Sequence, residues 1–189
     1  MRSRLGLLLG LLGVLLLGAG AYLLCHNSRE AAVAAARSAK ALPLLRQAME
    51  GQNAAGTTAE VEGDCYLGIL TIPALGLELP VLASGTDLDA GVCRYAGSTA
   101  GKDLVLMAHN YPGLFGGLEG LTPGDQVYFT DAGGRTTRYR VTASDVLEPT
   151  AVEAMTDGGH ALTLFTCTYG GRNRVTVRCD PMEENEKYA

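Results

Sequence analysis

The sequence predicts an all-β domain with short helices, folded as a closed or partly closed barrel behind an N-terminal transmembrane helix and a helical stalk. Three observations carry this reading. Residues 5–24 are an apolar run without a charge or a proline, about the 20 residues that a helix needs to cross a bilayer. An alanine-rich stretch, residues 30–41, follows it. Beyond residue 63, short apolar and β-branched runs alternate with Gly-, Pro- and Asp-rich breaks, the punctuation of seven or so strands in a barrel.

Each element follows from local chemistry. Arg2 and Arg4 precede the apolar run and favour a cytoplasmic N-terminus, with the rest of the chain outside. The run exceeds the core of a cleavable leader, so residues 1–26 read as an uncleaved signal-anchor. Asn27 or Ser28 can cap the stalk helix, Pro43 breaks or kinks it, and residues 44–50 continue it. Residues 51–59 hold little to bury and read as a flexible linker. The stalk and linker thus occupy residues 27–62, and the globular domain residues 63–189.

Within that domain, residues 66–72 form a strand ended by Pro73, and residues 77–82 a second one. Residues 103–108 form a buried strand that breaks at His109-Asn-Tyr-Pro112. Residues 126–130 and 137–142 flank Asp131-Ala-Gly-Gly134, a strong hairpin signal. The last two strands are residues 161–167 and a run beginning at Val175.

Charge divides unevenly: residues 1–62 carry six Lys/Arg and four Asp/Glu, residues 63–189 nine and sixteen. An outer domain acidic by seven argues against nucleic acid as a partner. No phosphate loop, dinucleotide fingerprint or metal-ligand spacing occurs, so neither a cofactor nor a metal is expected. Five cysteines, at 25, 65, 93, 167 and 179, leave at least one unpaired. Cys65, Cys93 and Cys179 read as small buried hydrophobes, and a Cys65–Cys179 bridge is an open alternative.

Cys167 differs, because it ends a strand just before Gly170 and Gly171, and Arg174 stands at the mouth of the next strand. The turn would bring a thiol and a cation together, and a nucleophilic thiolate needs positive charge or a base nearby. Three histidines are available. His26 lies against the membrane, His109 follows a core strand, and His160 is the reserve candidate in a glycine loop. Arg172 and Arg178 compete with Arg174. Each residue also has a plain reading: a core cysteine, a surface histidine, a solvated arginine at a strand end.

Thr163-Leu-Phe-Thr-Cys167 resembles the Thr-Leu-x-Thr-Cys signature of sortases, the membrane-anchored cysteine transpeptidases of Gram-positive surfaces. The resemblance extends across the domain. Gly68-Ile-Leu-Thr-Ile-Pro-Ala-Leu-Gly76 with Leu79-Pro-Val81 is similar to the family's opening, and Ala108-His-Asn-Tyr-Pro112 falls where its catalytic histidine lies. Phe115-Gly-Gly-Leu118 and Leu121-Thr-Pro-Gly-Asp125 resemble the segment leading into the hairpin. Ala108 stands where glycine is usual, and no long insertion precedes the cysteine strand. The compact domain and the His-Asn pair lean toward class B-like or class D-like members.

The resemblance implies a sortase-like closed barrel in which Cys167 is the nucleophile, His109 the general acid and Arg174 the oxyanion or carbonyl donor. Thr166 and Asn110 would touch or orient the substrate. It implies cleavage of a Leu-Pro-x-Thr-Gly-like motif in secreted proteins, through a thioacyl intermediate, and transfer to an amine on a cell-wall precursor or a pilin lysine. The chain holds no such motif itself, as befits the enzyme and not its cargo. Two other readings stand beside this one. One is another extracellular cysteine acyl-transfer enzyme, although the Ser-His-Gly-Cys cluster of an L,D-transpeptidase is absent. The other is a non-catalytic tethered barrel that binds peptides or wall components.

Overall fold

Helix and strand alternate little in this chain; one long helix is followed almost entirely by strands. The computed structural model describes residues 2–51, 58–85, 88, 91–156 and 158–182. Among these, α1 (Arg2–Gly51) precedes β1 (Ala59–Val61), β2 (Asp64–Ile72), β3 (Leu77–Leu82), β4 (Val92–Ala96) and β5 (Leu104–Met107). Then come β6 (Gln126–Asp131), β7 (Thr136–Leu147), α2 (Val152–Thr156), β8 (Leu162–Cys167) and β9 (Arg174–Pro181).

The sheet order is β1-β2-β3-β4-β5-β8-β9-β7-β6, and a further pairing of β2 with β6 closes eight strands into a barrel. Neighbours run antiparallel except β3–β4 and β5–β8, which are parallel. Strands β1 and β6 share one edge of β2: β1 pairs with residues 64–66 and β6 with residues 68–71. Gly68 sits where one partner gives way to the other. Its φ is +150°, and a Cβ there would come 2.0 Å from the Thr130 carbonyl oxygen. Only glycine lets the two backbones approach this closely.

Alternation along each strand explains the interior. Leu70, Ile72, Val81, Leu104, Leu106, Phe129, Leu162, Leu164, Val175 and Val177 face one enclosed core. The segment after β5 contributes Leu114, Phe115, Leu118 and Leu121 to that core, with a 3-10 turn over Phe115–Gly120. Strand β2 is buried on both faces, because Tyr66 and Ile69 join a second cluster with Leu82, Cys93 and the helical Leu45.

The chain divides into two units, Met1–Val33 and Ala34–Ala189. In the first, α1 exposes Leu7, Leu11, Leu15, Leu17 and Leu24, and it is long and apolar enough to cross a membrane by length and composition. In the second, the rest of α1 is a packed element of the barrel unit. Leu45 is fully buried, with Ala41, Leu42, Ala48 and Met49 around it, and Lys40 binds Glu62 at 2.8 Å while Arg46 pairs with Glu78.

Two sequence expectations change here. The helix continues through Pro43 to Gly51, although proline removes one helical bond at a cost of about 3 kcal/mol. Burial of Leu45, worth roughly 1.5–3 kcal/mol, offsets much of this. Strand β1 falls inside the stretch read as linker and stalk, and Ala59 is fully buried; residues 52–57 of that linker lie outside the described residues. Strand β4 escaped the sequence reading because Val92-Cys-Arg-Tyr-Ala96 shows no alternation and its pairing is supplied by β3 and β5.

Two substitutions probe this frame. Leu45→Ala should destabilise the chain by about 2–5 kcal/mol in urea unfolding, as for a buried leucine. Gly68→Ala should lower the unfolding midpoint at least as much, whereas Gly124→Ala, with open space at its Cβ and φ +106°, should cost only its backbone strain.

Candidate active site

Strands β5, β8 and β9 lie side by side, and their registers assemble the site. Parallel pairing sets Met107 against Phe165, and the Ala108 amide donates to the Phe165 carbonyl at 3.4 Å. His109 and Cys167 each follow two residues beyond that pair. Antiparallel pairing then sets Cys167 opposite Arg174. Three side-chain types expected for acyl transfer therefore meet at one rim of three adjacent strands, which are spaced about 4.8 Å apart. All three residues are half-buried.

Period-two alternation places the site on the outer wall of the barrel. Leu164 and Val175 face the enclosed core, so Phe165, Cys167 and Arg174 face outward. There Phe165 joins Val105 and Met155 in a third apolar cluster, with Ala96, Met107 and Leu147 packed against it. Tyr95 meets the Phe165 ring edge-on, with centroids 5.1 Å apart. Among the described residues of the barrel unit, the exposed large apolar and aromatic side chains are Tyr95, Val146, Val152 and Tyr169. All four belong to elements bordering this wall, and Tyr169, 95% exposed, stands two residues past Cys167.

The neighbours of each candidate are specific. His109 stacks on Tyr111 with centroids 4.8 Å apart, and its carbonyl accepts from the Phe115 amide. The Arg174 guanidinium donates to the carbonyls of Gly171 and Asn173, both at 3.1 Å, so it curls over its own turn. The Thr166 hydroxyl donates to the Ala108 carbonyl at 2.8 Å and is buried. This bond ties the cysteine strand to the segment that carries His109. Asn110 occupies the turn after His109, with its side-chain oxygen toward Gly116.

The competing residues are placed elsewhere. His160 precedes β8, roughly 20 Å of strand from Cys167, and its Nδ1 lies 2.9 Å from Asp180. Burial alone would push the Asp180 carboxyl up, but bonds from His160, the Ala161 amide and Thr142 outweigh it and hold the carboxyl below its ordinary value. Arg178 is 5% exposed and bound to Met155, Ala154 and Thr163. Arg172 is an exposed turn residue. The five cysteines are free; Cys179 lies in the main core, where burial pushes its thiol up to about 12. No cluster of His, Cys, Asp and Glu able to hold a metal occurs among the described residues.

Sequence reasoning missed α2 and its Met155. Five residues, Val152-Glu-Ala-Met-Thr156, are too few to show helical periodicity, and their helix exists because Met155 packs on Val105 and Phe165.

A cysteine at the end of β8, a histidine after β5 and an arginine at the start of β9 thus share one rim of an eight-stranded barrel. A family model described as a sortase domain matches residues 70–182, more than half of the chain, and the chain belongs to the sortase family. Solved structures agree. Sortase C1 from Streptococcus agalactiae is 22% identical, with a TM-score of 0.58 over 66% of this chain and 72% of that one. A Clostridium perfringens sortase D5 transpeptidase is 18% identical, with a TM-score of 0.54 over 62% and 79%. Streptococcus pneumoniae sortase C is 27% identical, with a TM-score of 0.56 over 62% and 66%. A comparison with curated proteins finds no match.

Two measurements test these environments. At neutral pH a small alkylating reagent should modify Cys167 and leave Cys179 untouched in the folded chain, read by peptide mass mapping; equal labelling would contradict the buried placement. Asp180 has a depressed folded-state value, so its contribution to stability is present above the ordinary carboxylate value of about 4 and is lost as pH falls through the folded value. Asp180→Asn should therefore lower stability at pH 7 and flatten the loss between pH 5 and pH 2.

Proposed function

We propose that this chain is a membrane-anchored sortase transpeptidase that cuts a Leu-Pro-x-Thr-Gly-like sorting motif in secreted proteins and joins the product to an amine. The observation that carries the proposal is the register: Cys167 faces Arg174 across β8–β9, and His109 follows the adjacent strand β5 by two residues.

The chemistry follows from these three groups. The Cys167 thiolate attacks the carbonyl carbon of the scissile peptide bond and forms a C–S bond. Negative charge collects on the carbonyl oxygen, where Arg174, a fixed cation with a fork of donors, stabilises it. The C–N bond breaks, and protonated His109 gives its proton to the departing amine. An incoming amine then attacks the thioester carbonyl and returns its proton to His109, and the C–S bond breaks to regenerate the thiolate. Arg174 must leave the Gly171 and Asn173 carbonyls to serve, a rotamer change within a turn rich in glycine. Thr166 acts by holding β8 to β5, and Asn110 by shaping the turn that carries His109.

The acceptor is an amino group on a cell-wall precursor or a pilin lysine; the structure of the pneumococcal relative is described as bearing on pilin substrate specificity. The apolar N-terminal helix would anchor the chain with its N-terminus cytoplasmic and residues 63–189 outside as the catalytic domain, with residues 27–62 between. Anchoring enzyme and substrate to one surface raises their effective concentration.

The test uses the full chain in detergent with a panel of fluorogenic sorting-motif peptides and an amine acceptor. Cys167→Ala should abolish cleavage. His109→Ala should reduce it by about 10²–10⁴, and Arg174→Ala by about 10²–10³. Cleavage that persists in Cys167→Ala would sink the proposal.

A further inference from the structure

Cys167 and Arg174 are held by a strand ladder, but His109 lies beyond the end of β5, at the head of residues 109–116. That segment is shaped by its own backbone. The Leu114 and Gly116 amides both donate to the Tyr111 carbonyl, at 3.0 and 3.1 Å, and the Phe115 amide donates to the His109 carbonyl at 3.3 Å. The Tyr111 ring stacks on the His109 ring and is itself packed against the main core. The ring of His109 therefore follows wherever Tyr111 and its turn are seated.

Part of that seat is α1, in the stretch that belongs to the barrel unit. Ala34 is 2% exposed and joins the same core as Leu114 and Phe115. A Cβ built on Gly113 would lie 3.6 Å from the Ala35 Cβ, so helix and turn are within van der Waals range. One helical turn on, Ser38 is buried with its hydroxyl unpartnered, and a Cβ on Gly91 would come 3.0 Å from it. A hydroxyl buried without a partner is unfavourable, and here the surrounding packing holds it. Ala34, Ala35 and Ser38 share one helix face by their three- and four-residue spacing, whereas Ala36, Arg37 and Ala39 are exposed.

Resting on the transpeptidase reading, we infer that Ala34 and Ala35 are positioning residues for His109. The helix face they form backs the turn at Gly113 and Leu114, and the turn sets the histidine ring through Tyr111. Neither alanine touches the substrate. Their methyl groups fill the space between helix and turn, and a larger side chain there pushes the turn, and with it the ring, away from the rim. Cys167 stays in place, because the β8–β9 register fixes it independently.

The experiment compares the full chain in detergent with Ala35→Leu, Ala34→Val, Ala36→Leu and Leu45→Ala. It measures kcat and KM on a cleaved sorting-motif peptide, the alkylation rate of Cys167, and the ring-proton NMR signals of His109 and His160. Ala35→Leu and Ala34→Val should each lower kcat about tenfold, within the roughly hundredfold that misplacing a reacting group by one ångström costs. The His109 signals should shift as the Tyr111 ring beside them moves, while those of His160 stay. KM and Cys167 alkylation should change less than about twofold, the pattern of a lost contribution to the chemical step alone. Ala36→Leu, on the exposed face, should match the wild type. Leu45→Ala loosens α1 at the second cluster without enlarging this face, and should lower the unfolding midpoint with kcat within about twofold.

Unchanged kcat and His109 signals in both Ala35→Leu and Ala34→Val would overturn the inference. So would an equal fall of kcat in Leu45→Ala, the mark of general loosening; if Ala34→Val does not fold, Ala35→Leu decides. A wild-type chain that cleaves no peptide would overturn the transpeptidase reading instead, and the His109 signals would still decide whether α1 sets the ring.

Discussion

Parallel pairing of β5 with β8 governs the geometry of this protein more than any single side chain. In an antiparallel pair, consecutive strand ends lie at opposite rims. A parallel pair brings both C-terminal ends to the same rim, so the residues that follow β5 and those that end β8 emerge together. Strand β9 then returns antiparallel to β8, and its first residue joins them. The Thr166–Ala108 bond reinforces the pairing from the buried side. A slip of one residue in β8 or β9 would turn Cys167 or Arg174 into the core, because side chains alternate faces. The apolar interior, with Leu104, Leu106, Leu162, Leu164, Val175 and Val177 interdigitated, makes that slip expensive.

Much of this was legible in the residues. Strands β2, β3, β5, β6 and β8 announce themselves by β-branched and apolar runs, and Asp131-Ala-Gly-Gly134 marks the β6–β7 turn. The adjacency of Cys167 and Arg174 follows from one glycine-rich turn, a local property. The adjacency of His109 does not: it depends on a pairing between segments almost sixty residues apart, and only the family resemblance pointed to it. Strands β1 and β4 were illegible because their stability comes from neighbours' edges. The alanine-rich end of α1 was read as a stalk because alanine gives a weak hydrophobic signal. Small side chains instead let a helix lie close to a sheet, with Leu45 as a large, fully buried anchor.

Burial also sorts residues that look alike in the sequence. Cys93 and Cys179 are enclosed while Cys167 is half-open, so one residue type serves as filling in two places and as a candidate reagent in the third. Arg174 and Arg178 stand four apart on one face of one strand. The first is half-buried and lies over a glycine-containing turn; the second is enclosed beneath α2. His109 and His160 divide in the same way, the first in the turn at the rim that carries Cys167, the second at the other rim within hydrogen-bond distance of Asp180.

The sharing of one β2 edge by β1 and β6 bears on how the chain may be shortened. A cut at residue 63 looks natural from composition, but it would strip β1 from residues 64–66 and leave unpaired amides and carbonyls on an open strand edge. It would also lift Leu45 and its neighbours from Tyr66, Ile69 and Leu82, uncovering an apolar patch beside that edge. An unpaired edge next to exposed apolar surface is a template for another chain to add to. The three residues of β1 and the last turns of α1 thus act as a guard against self-association, a task separate from tethering and from chemistry.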